Sequence, residues 1–416
     1  MALDRNTIQI KTLTPLWTGD VKGECNEVKE TGIIGSLRWW YEALVRGLGG
    51  YACDPTNSDC KFNYKEYKRT GKIQDGLRDM CDACYLFGCT GWSRRFLLEI
   101  GNGNPVYKGT LKVKCDRRGW YLKGGLYDSL NARILNTSQE DRQDTVREDY
   151  RAIVISLLEF ISRWGAIGAK TQQGYGVFSL NPSETGLSET ELPRVLTNGS
   201  RKRISEQKHL PHIEEIFVWK VNFRNFEVKS IPQWGNFTYN RGIDDDMSIG
   251  PDILQFLYSK YDFVPTSPLF RYRLRKSLKQ SFNNSDLRHF MMGFMGIGGS
   301  PRLRMEREVY EKMGSKIHVS HLYKKGDLHE MRIWAWIPKY VLLNSNGRVR
   351  LFEKHFRTST NSILNTLSGE IRKSAEEIFA VENPSVVCWN FDVAQKRVVK
   401  VEIPENESYQ ETGELK

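Results

Sequence analysis

Ile33-Ile34-Gly35-Ser36-Leu37-Arg38-Trp39-Trp40-Tyr41-Glu42-Ala43-Leu44-Val45-Arg46-Gly47-Leu48 is the stretch on which the fold reading turns. Its apolar residues Ile33, Ile34, Leu37, Trp40, Tyr41, Leu44, Val45 and Leu48 recur in steps of three and four, the period of a helix with one buried face. Arg38, Glu42 and Arg46 follow one another at i, i+4 on the opposite face. Gly49-Gly50 ends the helix. Upstream, Thr7 to Leu13 alternates Ile8, Ile10 and Thr12 with polar residues and reads as a strand. Downstream, Arg95 to Ile100 and Gly109 to Cys115 read as strands. A second helix carries Val146, Tyr150, Ile153, Val154, Leu157, Leu158, Ile161 and Trp164. A glycine-rich loop and a short strand, Gly176 to Leu180, close the series. The order strand, helix, strands, helix, strand is that of a ferredoxin-like β-α-β-β-α-β unit with insertions.

The second half restarts in the same order. Ile216 to Phe223 reads as a strand, and helical patterns follow at Ile253 to Tyr261 and Leu287 to Met295. A turn at Gly296-Ile297-Gly298-Gly299 precedes strands at Lys316 to Tyr323 and Met331 to Pro338. The expected architecture is therefore α+β, with two tandem ferredoxin-like domains. The first spans residues 1–185, the second 213–403. A polar linker at 186–212 joins them, and an acidic tail occupies 404–416.

Lys and Arg number 61 against 50 Asp and Glu, a net charge of +11 on 416 residues. Aromatic residues make up 12% and include 11 Trp, so this is a folded basic protein facing a polyanion and not a disordered basic tail. No run reaches the ~20 apolar residues that span a bilayer, and the N-terminus lacks a signal-peptide core. The expectation is a cytoplasmic protein with no membrane partner.

Five of the eight cysteines fall between Cys53 and Cys89. Cys81-Asp82-Ala83-Cys84 is half of a zinc knuckle, two thiolates on a tight turn, and Cys53 and Cys60 supply the other two ligands, with Cys89 as the alternative ligand. Free thiols and a redox CxxC are the competing readings. Four thiolates leave no open coordination position, so the metal is structural.

Gly165-Ala166-Ile167-Gly168-Ala169-Lys170-Thr171-Gln172-Gln173-Gly174-Tyr175-Gly176 is no P-loop, because Ala169 parts Gly168 from Lys170 and the loop follows a helix. Its backbone donors, Lys170, Thr171, Gln173 and Tyr175 suit a phosphate backbone and a stacked base, while a plain turn would need only the glycines. From Pro265 to Arg304 eight Lys and Arg stand against Asp286 alone. Extended, Arg271, Arg273 and Arg275 would share one face as a row tracking phosphates, joined by Lys276, Arg302 and Arg304. In Lys316-Ile317-His318-Val319-Ser320-His321 the two histidines fall on opposite strand faces and make a poor acid/base pair. Asp244-Asp245-Asp246 reads as a solvated turn.

Cys81-x2-Cys84-Tyr85-Leu86-Phe87-Gly88-Cys89-Thr90-Gly91-Trp92-Ser93-Arg94-Arg95-Phe96 resembles the CxxCxLFGxTGWxRRF signature of the first-numbered RAMP subunit of the type III-B CRISPR (Cmr) effector complex. Leu13 to Gly19, Ile34 to Trp40, the loop Gly165 to Gly176, Gly314 to His321 and Met331 to Pro338 resemble further segments of that family. The resemblance implies two RAMP domains and a non-catalytic subunit at the head of a ribonucleoprotein. Such a subunit contacts the 3′ region of the guide RNA and helps capture target RNA. It implies guide crRNA, target RNA and other Cmr subunits as partners, and no small-molecule substrate. Arg38, Arg94, Arg95, Lys170, Thr171, Gln173, Tyr175, Arg271, Arg273, Arg275, Lys276, Arg302, Arg304, Lys316 and His318 are the expected RNA contacts. The alternative is a guide-processing endoribonuclease using His318 or His321.

Overall fold

A computed structural model describes residues 7–56, 60–137, 150–180, 208–231, 234–240, 253–295, 303–305, 308–310, 312–343 and 348–402. Val146, residues 181–185 of the expected first domain, residues 186–207 of the expected linker, Asp244 to Asp246, Gly296 to Gly299, Arg302 and the tail from 403 lie outside them.

The first half opens with strand β1 (Thr7–Thr12), where Ile8, Ile10 and Thr12 are buried and Lys11 is exposed. Helix α1 (Glu30–Gly47) follows, then a short helix α2 (Asp82–Phe87) in the cysteine segment and strand β2 (Phe96–Ile100). A hairpin of β3 (Thr110–Cys115) and β4 (Arg118–Lys123) precedes β5 (Ser129–Asn136), α3 (Tyr150–Trp164) and β6 (Phe178–Leu180). The four-stranded sheet runs β2-β5-β1-β6 with every pair antiparallel. Its strands therefore lie in the order second, third, first, fourth. The strand expected at Gly109 to Cys115 exists but belongs elsewhere: β3 and β4 are an insertion, and β5 is the third strand of the sheet. Alternating hydropathy identifies β3 as a strand but carries no information about its partner.

The second half repeats the plan. Its elements are β7 (Ile216–Phe223), β8 (Asn236–Asn240), α4 (Ser267–Ser281), α5 (Ser285–Met292), β9 (Ile317–Val319), β10 (Leu322–Lys325), β11 (Leu328–Trp336), α6 (Thr360–Phe379), β12 (Ser385–Asp392) and β13 (Arg397–Lys400). β9 and β10 both pair with β11, β11 pairs with β7, and β7 with β12, again in the order second, third, first, fourth. β13 extends the sheet beyond β12. One strand was expected at Lys316 to Tyr323. It is broken at Ser320, whose hydroxyl takes the Arg332 amide proton at 2.8 Å while its own amide donates to the Arg332 carbonyl.

The expected extended row at Arg271 to Arg275 is a helix. Pro268 sits in its first turn, and Leu269, Phe270, Leu274 and Leu278 form its buried stripe. Arg271 and Arg275 consequently share one face at i, i+4, while Arg273 turns away to ion-pair with Glu377 on α6.

The halves interlock. β8, from the second half, pairs along β3 and completes a three-stranded sheet with β4. Tyr127 donates to the Tyr261 carbonyl, and Tyr261 donates to the Val106 carbonyl at 3.1 Å. Arg332 on β11 is 1% exposed, and its Nη1 donates to the carbonyls of Ser162 and Gly165, both at 2.9 Å, where α3 ends. A guanidinium at a helix C-terminus meets the carbonyls that the helix leaves unpaired. Among the described residues, no helix is long and apolar enough to cross a membrane.

Candidate nucleic-acid interface

The glycine-rich loop becomes a ridge at the junction of the two halves. Gly165 leaves α3 under the grip of Arg332, and Thr171–Gln173 form one turn of 3-10 helix. Gly174 has φ +104°, and a Cβ there would stand 2.5 Å from Nδ1 of His321. A Cβ on Gly176 would stand 1.9 Å from the carbonyl oxygen of Ile167. Only glycine allows this close approach. The ridge is tied to the second half by a 2.9 Å hydrogen bond between Thr171 Oγ1 and His318 Nδ1. Gln172 Nε2 adds a bond to the Ser315 carbonyl at 3.3 Å. Lys170 Nζ lies 3.3 Å from the centre of the Trp17 ring. Burial, with Lys123 nearby, pushes its ammonium down to about 8.

One cleft of about 680 Å³ opens beside the ridge, lined by Gln172, Gln173, Trp120, Arg271, Lys312 and Gly314 among others. Arg271 donates to the Ile317 carbonyl, and Arg275 Nη1 to the carbonyls of Met292 and Gly293. Burial and Arg275 push the Arg271 guanidinium down to about 10. Burial, Arg118 on the β3–β4 hairpin and Arg288 do the same to Arg275. Four guanidiniums therefore crowd one region and repel one another. None of the described residues lining this cleft is a carboxylate.

A second cleft of about 460 Å³ lies across the ridge and shares Ser315 with the first. Trp39, Trp40, Trp334 and Trp336 wall it, with Ser36, Thr171, Lys316 and His318 as its polar groups. The His318 ring stacks on Trp334 at 5.0 Å and 20°. Burial, Arg271 and Lys316 push its imidazole down to about 3, so it is neutral at ordinary pH.

The Sγ atoms of Cys53, Cys60, Cys81 and Cys84 all lie within 4.8 Å of one another, and all four residues are buried. Tetrahedral coordination with Zn–S of about 2.3 Å places sulfurs roughly 3.8 Å apart. Cys53 and Cys84 stand 3.5 Å apart. The amides of Cys81 and Cys84 point at Cys60 Sγ and Cys81 Sγ, each at 3.3 Å. Hydrogen bonds from Cys53 hold the Cys60 and Cys81 thiols below their ordinary range. Arg38 Nη2 reaches Cys84 Sγ at 3.2 Å, its Nη1 the Gly88 carbonyl and its Nε Glu42. Arg46 donates to the carbonyls of Ala52 and Cys53. This donor set fits a thiophilic divalent ion. Cys89, the alternative ligand, stands outside the group.

Residues 9–179 match the family model of the RAMP superfamily. No curated protein matches the chain. Among solved structures, the chain is similar to Cmr1 from Pyrococcus furiosus in its apo form, at 13% identity and a TM-score of 0.36, covering 84% of this chain and 95% of that one. It is also similar to a chain of the type III-B Cmr-beta complex bound to cognate target RNA. That likeness has 11% identity and a TM-score of 0.42, covering 88% of this chain and 98% of that one. A second state of Cmr-beta, with target RNA, AMPPnP and ssDNA, gives 12% identity and a TM-score of 0.41, over 88% and 99%.

The structure redistributes the expected RNA contacts. Thr171 and Gln173 line the clefts, as do Arg271, Lys316 and His318 from the second half. Arg275 stands beside them, while Lys276 and Arg304 are exposed on the surface. Tyr175 is corrected: it is 1% exposed, its hydroxyl bonds the Lys123 carbonyl, and its ring packs on Trp17 and His321, so no base reaches it. Arg38 is corrected too, being held at the cysteine cluster. The opposite face of α1 is covered there, not solvated, with Glu42 and Arg46 only 4% and 8% exposed. Arg94 bonds the Phe96 carbonyl, Arg95 lies 4.8 Å over Trp92, and neither is among the residues lining these two clefts. Arg273 spends its charge on Glu377. His321 is 1% exposed and accepts the Ser267 amide at 3.3 Å, so it cannot meet a substrate.

Trp39 and Trp336 are cleft residues that the sequence did not single out. The signal for Trp39 is its place off the apolar stripe of α1. Trp336 falls within a recognised strand, and nothing in its spacing separates a cleft wall from a core residue.

Proposed function

We propose that this protein is a non-catalytic RNA-binding subunit of a type III-B CRISPR ribonucleoprotein. It sits at the head of that assembly in the cytoplasm, contacts the 3′ region of the guide RNA and helps capture target RNA beside other Cmr subunits. The observation that carries this reading is the cleft between the halves beside the glycine ridge, lined by Arg271 and Lys312 and by no carboxylate of the described residues, with Arg275, Arg118 and Arg288 close enough to Arg271 or to one another to repel. Such a cleft suits the closely spaced charges of a single-stranded backbone. The RAMP match over residues 9–179 and the Cys81 to Phe96 signature supply the family context. The repeated second-third-first-fourth strand order supports two tandem ferredoxin-like domains, at 1–185 and 213–403. The four-thiol cluster is read as a structural zinc site that ties residues 50–90 to α1. Bound zinc would fix the positions of Cys53, Cys60, Cys81 and Cys84, with Arg38 and Arg46 offsetting the negative charge of the thiolates.

The test is a titration of single-stranded RNA at several salt concentrations. Arg118→Ala with Arg275→Ala is expected to weaken binding and to shrink the salt slope by roughly 0.7 for each phosphate no longer neutralised. An unchanged slope, or a preference for duplex DNA, overturns the reading.

A further inference from the structure

The cleft walled by tryptophans is not explained by phosphate binding. Trp39 projects from α1 with 38% of its surface exposed and meets Trp40 edge-on at 5.1 Å and 87°. Trp336 is held in place by its indole N–H, which donates to Glu215 at 2.9 Å. The imidazole of His318 is likewise fixed between Trp334 and Thr171. These are rigid planar walls with few rotamers left to lose, relieved by the hydroxyls of Ser36 and Thr171. Apolar walls with a few fixed polar groups are the usual make-up of a pocket for a planar ligand.

Lys316 adds a requirement for charge. Its Nζ lies 4.8 Å from the Trp336 ring and 5.5 Å from Phe290, and no carboxylate of the described residues pairs with it. A half-buried ammonium whose neighbours are aromatic rings is matched by an incoming anion. The floor at Ser315 then continues into the cleft lined by Arg271 and Lys312. A planar group joined to a chain of phosphates satisfies both clefts at once. An aromatic peptide side chain would fill the walls but leave Lys316 and the arginines unmatched.

We propose that this cleft receives one unstacked nucleobase of a single-stranded RNA against Trp39 and Trp336, with Lys316 facing its phosphate, while the adjoining nucleotides follow the arginine cleft. This rests on the RNA-binding reading and adds a base-dependent part to it. The placement leaves the base edge near Ser36, Thr171 and His318.

The experiment compares two 12-mers of equal charge, oligouridine and the same ribose-phosphate chain with every base removed, bound to the full-length protein. The wild type is expected to prefer oligouridine roughly 10-fold, the scale of one base stacked on aromatic side chains. Trp39→Ala, at an exposed position that folding does not need, should remove most of that preference, and Trp39→Phe should keep it. Both variants should bind the abasic chain as the wild type does. Equal binding of the two chains by the wild type overturns the base pocket and leaves the RNA reading standing. So does an unchanged preference in Trp39→Ala. Failure of both chains to bind overturns both.

Discussion

Arg332→Met removes the side chain that fastens the two halves. Arg332 is 1% exposed, and its four contacts are the Ser162 and Gly165 carbonyls at 2.9 Å and Glu330 Oε1 and Tyr323 Oη at 3.3 Å. Methionine fills much of the volume but donates nothing. Glu330, 4% exposed, is left with Lys325 at 3.4 Å, the Tyr323 hydroxyl and the more distant charge of Lys220. Removing one partner of a buried pair costs about 3–5 kcal/mol, most of it the penalty of the stranded charge. The two carbonyls at the end of α3 add about 1–2 kcal/mol if water cannot reach them. We therefore expect a loss of about 4–7 kcal/mol in urea unfolding followed by circular dichroism. Glu330→Gln with Arg332→Met should recover a good part of it, because the stranded charge is gone. The acid limb gives an independent check. Burial works against the Glu330 carboxylate, but Arg332 and Lys325 outweigh it and hold it at about 2. A folded value below the unfolded one stabilises above roughly pH 4.5, and that stability fades as pH falls towards 2. The window should narrow in Arg332→Met, where Lys325 alone of the two cations remains. A loss below about 1 kcal/mol, with an unaltered acid limb, would refute the fastening role.

Purified without chelator, the protein should carry one zinc per chain, and Cys84→Ser should lose the metal and expose residues 50–90 to protease; protection without metal would contradict the zinc reading. Burial pushes Glu215 up to about 7 despite bonds from the Lys339 amide and Trp336. Its contribution to stability is therefore complete below its unfolded value and fades as pH rises through 7. Glu215→Gln should flatten the stability profile between pH 5 and 8 by roughly 3 kcal/mol, read by thermal unfolding across pH. Gly174→Ala should destabilise by about 2 kcal/mol or more through its positive φ and the clash with His321, with RNA affinity falling in parallel. An unchanged melting temperature would show that the ridge accommodates a side chain.

The helices and strands with strong periodicity are legible in the sequence. Ile216 to Phe223 and Ile253 to Tyr261 coincide with the observed strand and helix. What periodicity does not convey is partnership. β3 is recognisable as a strand, yet its neighbours are an inserted hairpin and a strand more than a hundred residues away. Alternate charges in the arginine run suggest an extended row, while the stripe Leu269, Phe270, Leu274 and Leu278 already spells a helix. Helix α6 carries its own signal in Ile363, Leu367, Ile371 and Ile378 but is missing from the sequence-based element order. Its partner β12 completes the second sheet. The cysteines Cys53, Cys60, Cys81 and Cys84 come together as their clustering implies. For the RNA contacts, residue type alone cannot separate cations that reach a cleft, such as Lys316, from those held by neighbours, such as Arg38 and Arg273. Burial and the identity of the neighbour decide that, and both come from the tertiary fold.

Ultraviolet crosslinking of bound single-stranded RNA, followed by identification of the crosslinked peptides, tests the central claim most directly. Crosslinks are predicted on peptides holding Trp39, the Thr171 to Gln173 ridge and Lys316 to Trp336, all at the junction of the halves. Crosslinks confined to strands β12 and β13, with none on the ridge or Trp39, would contradict it.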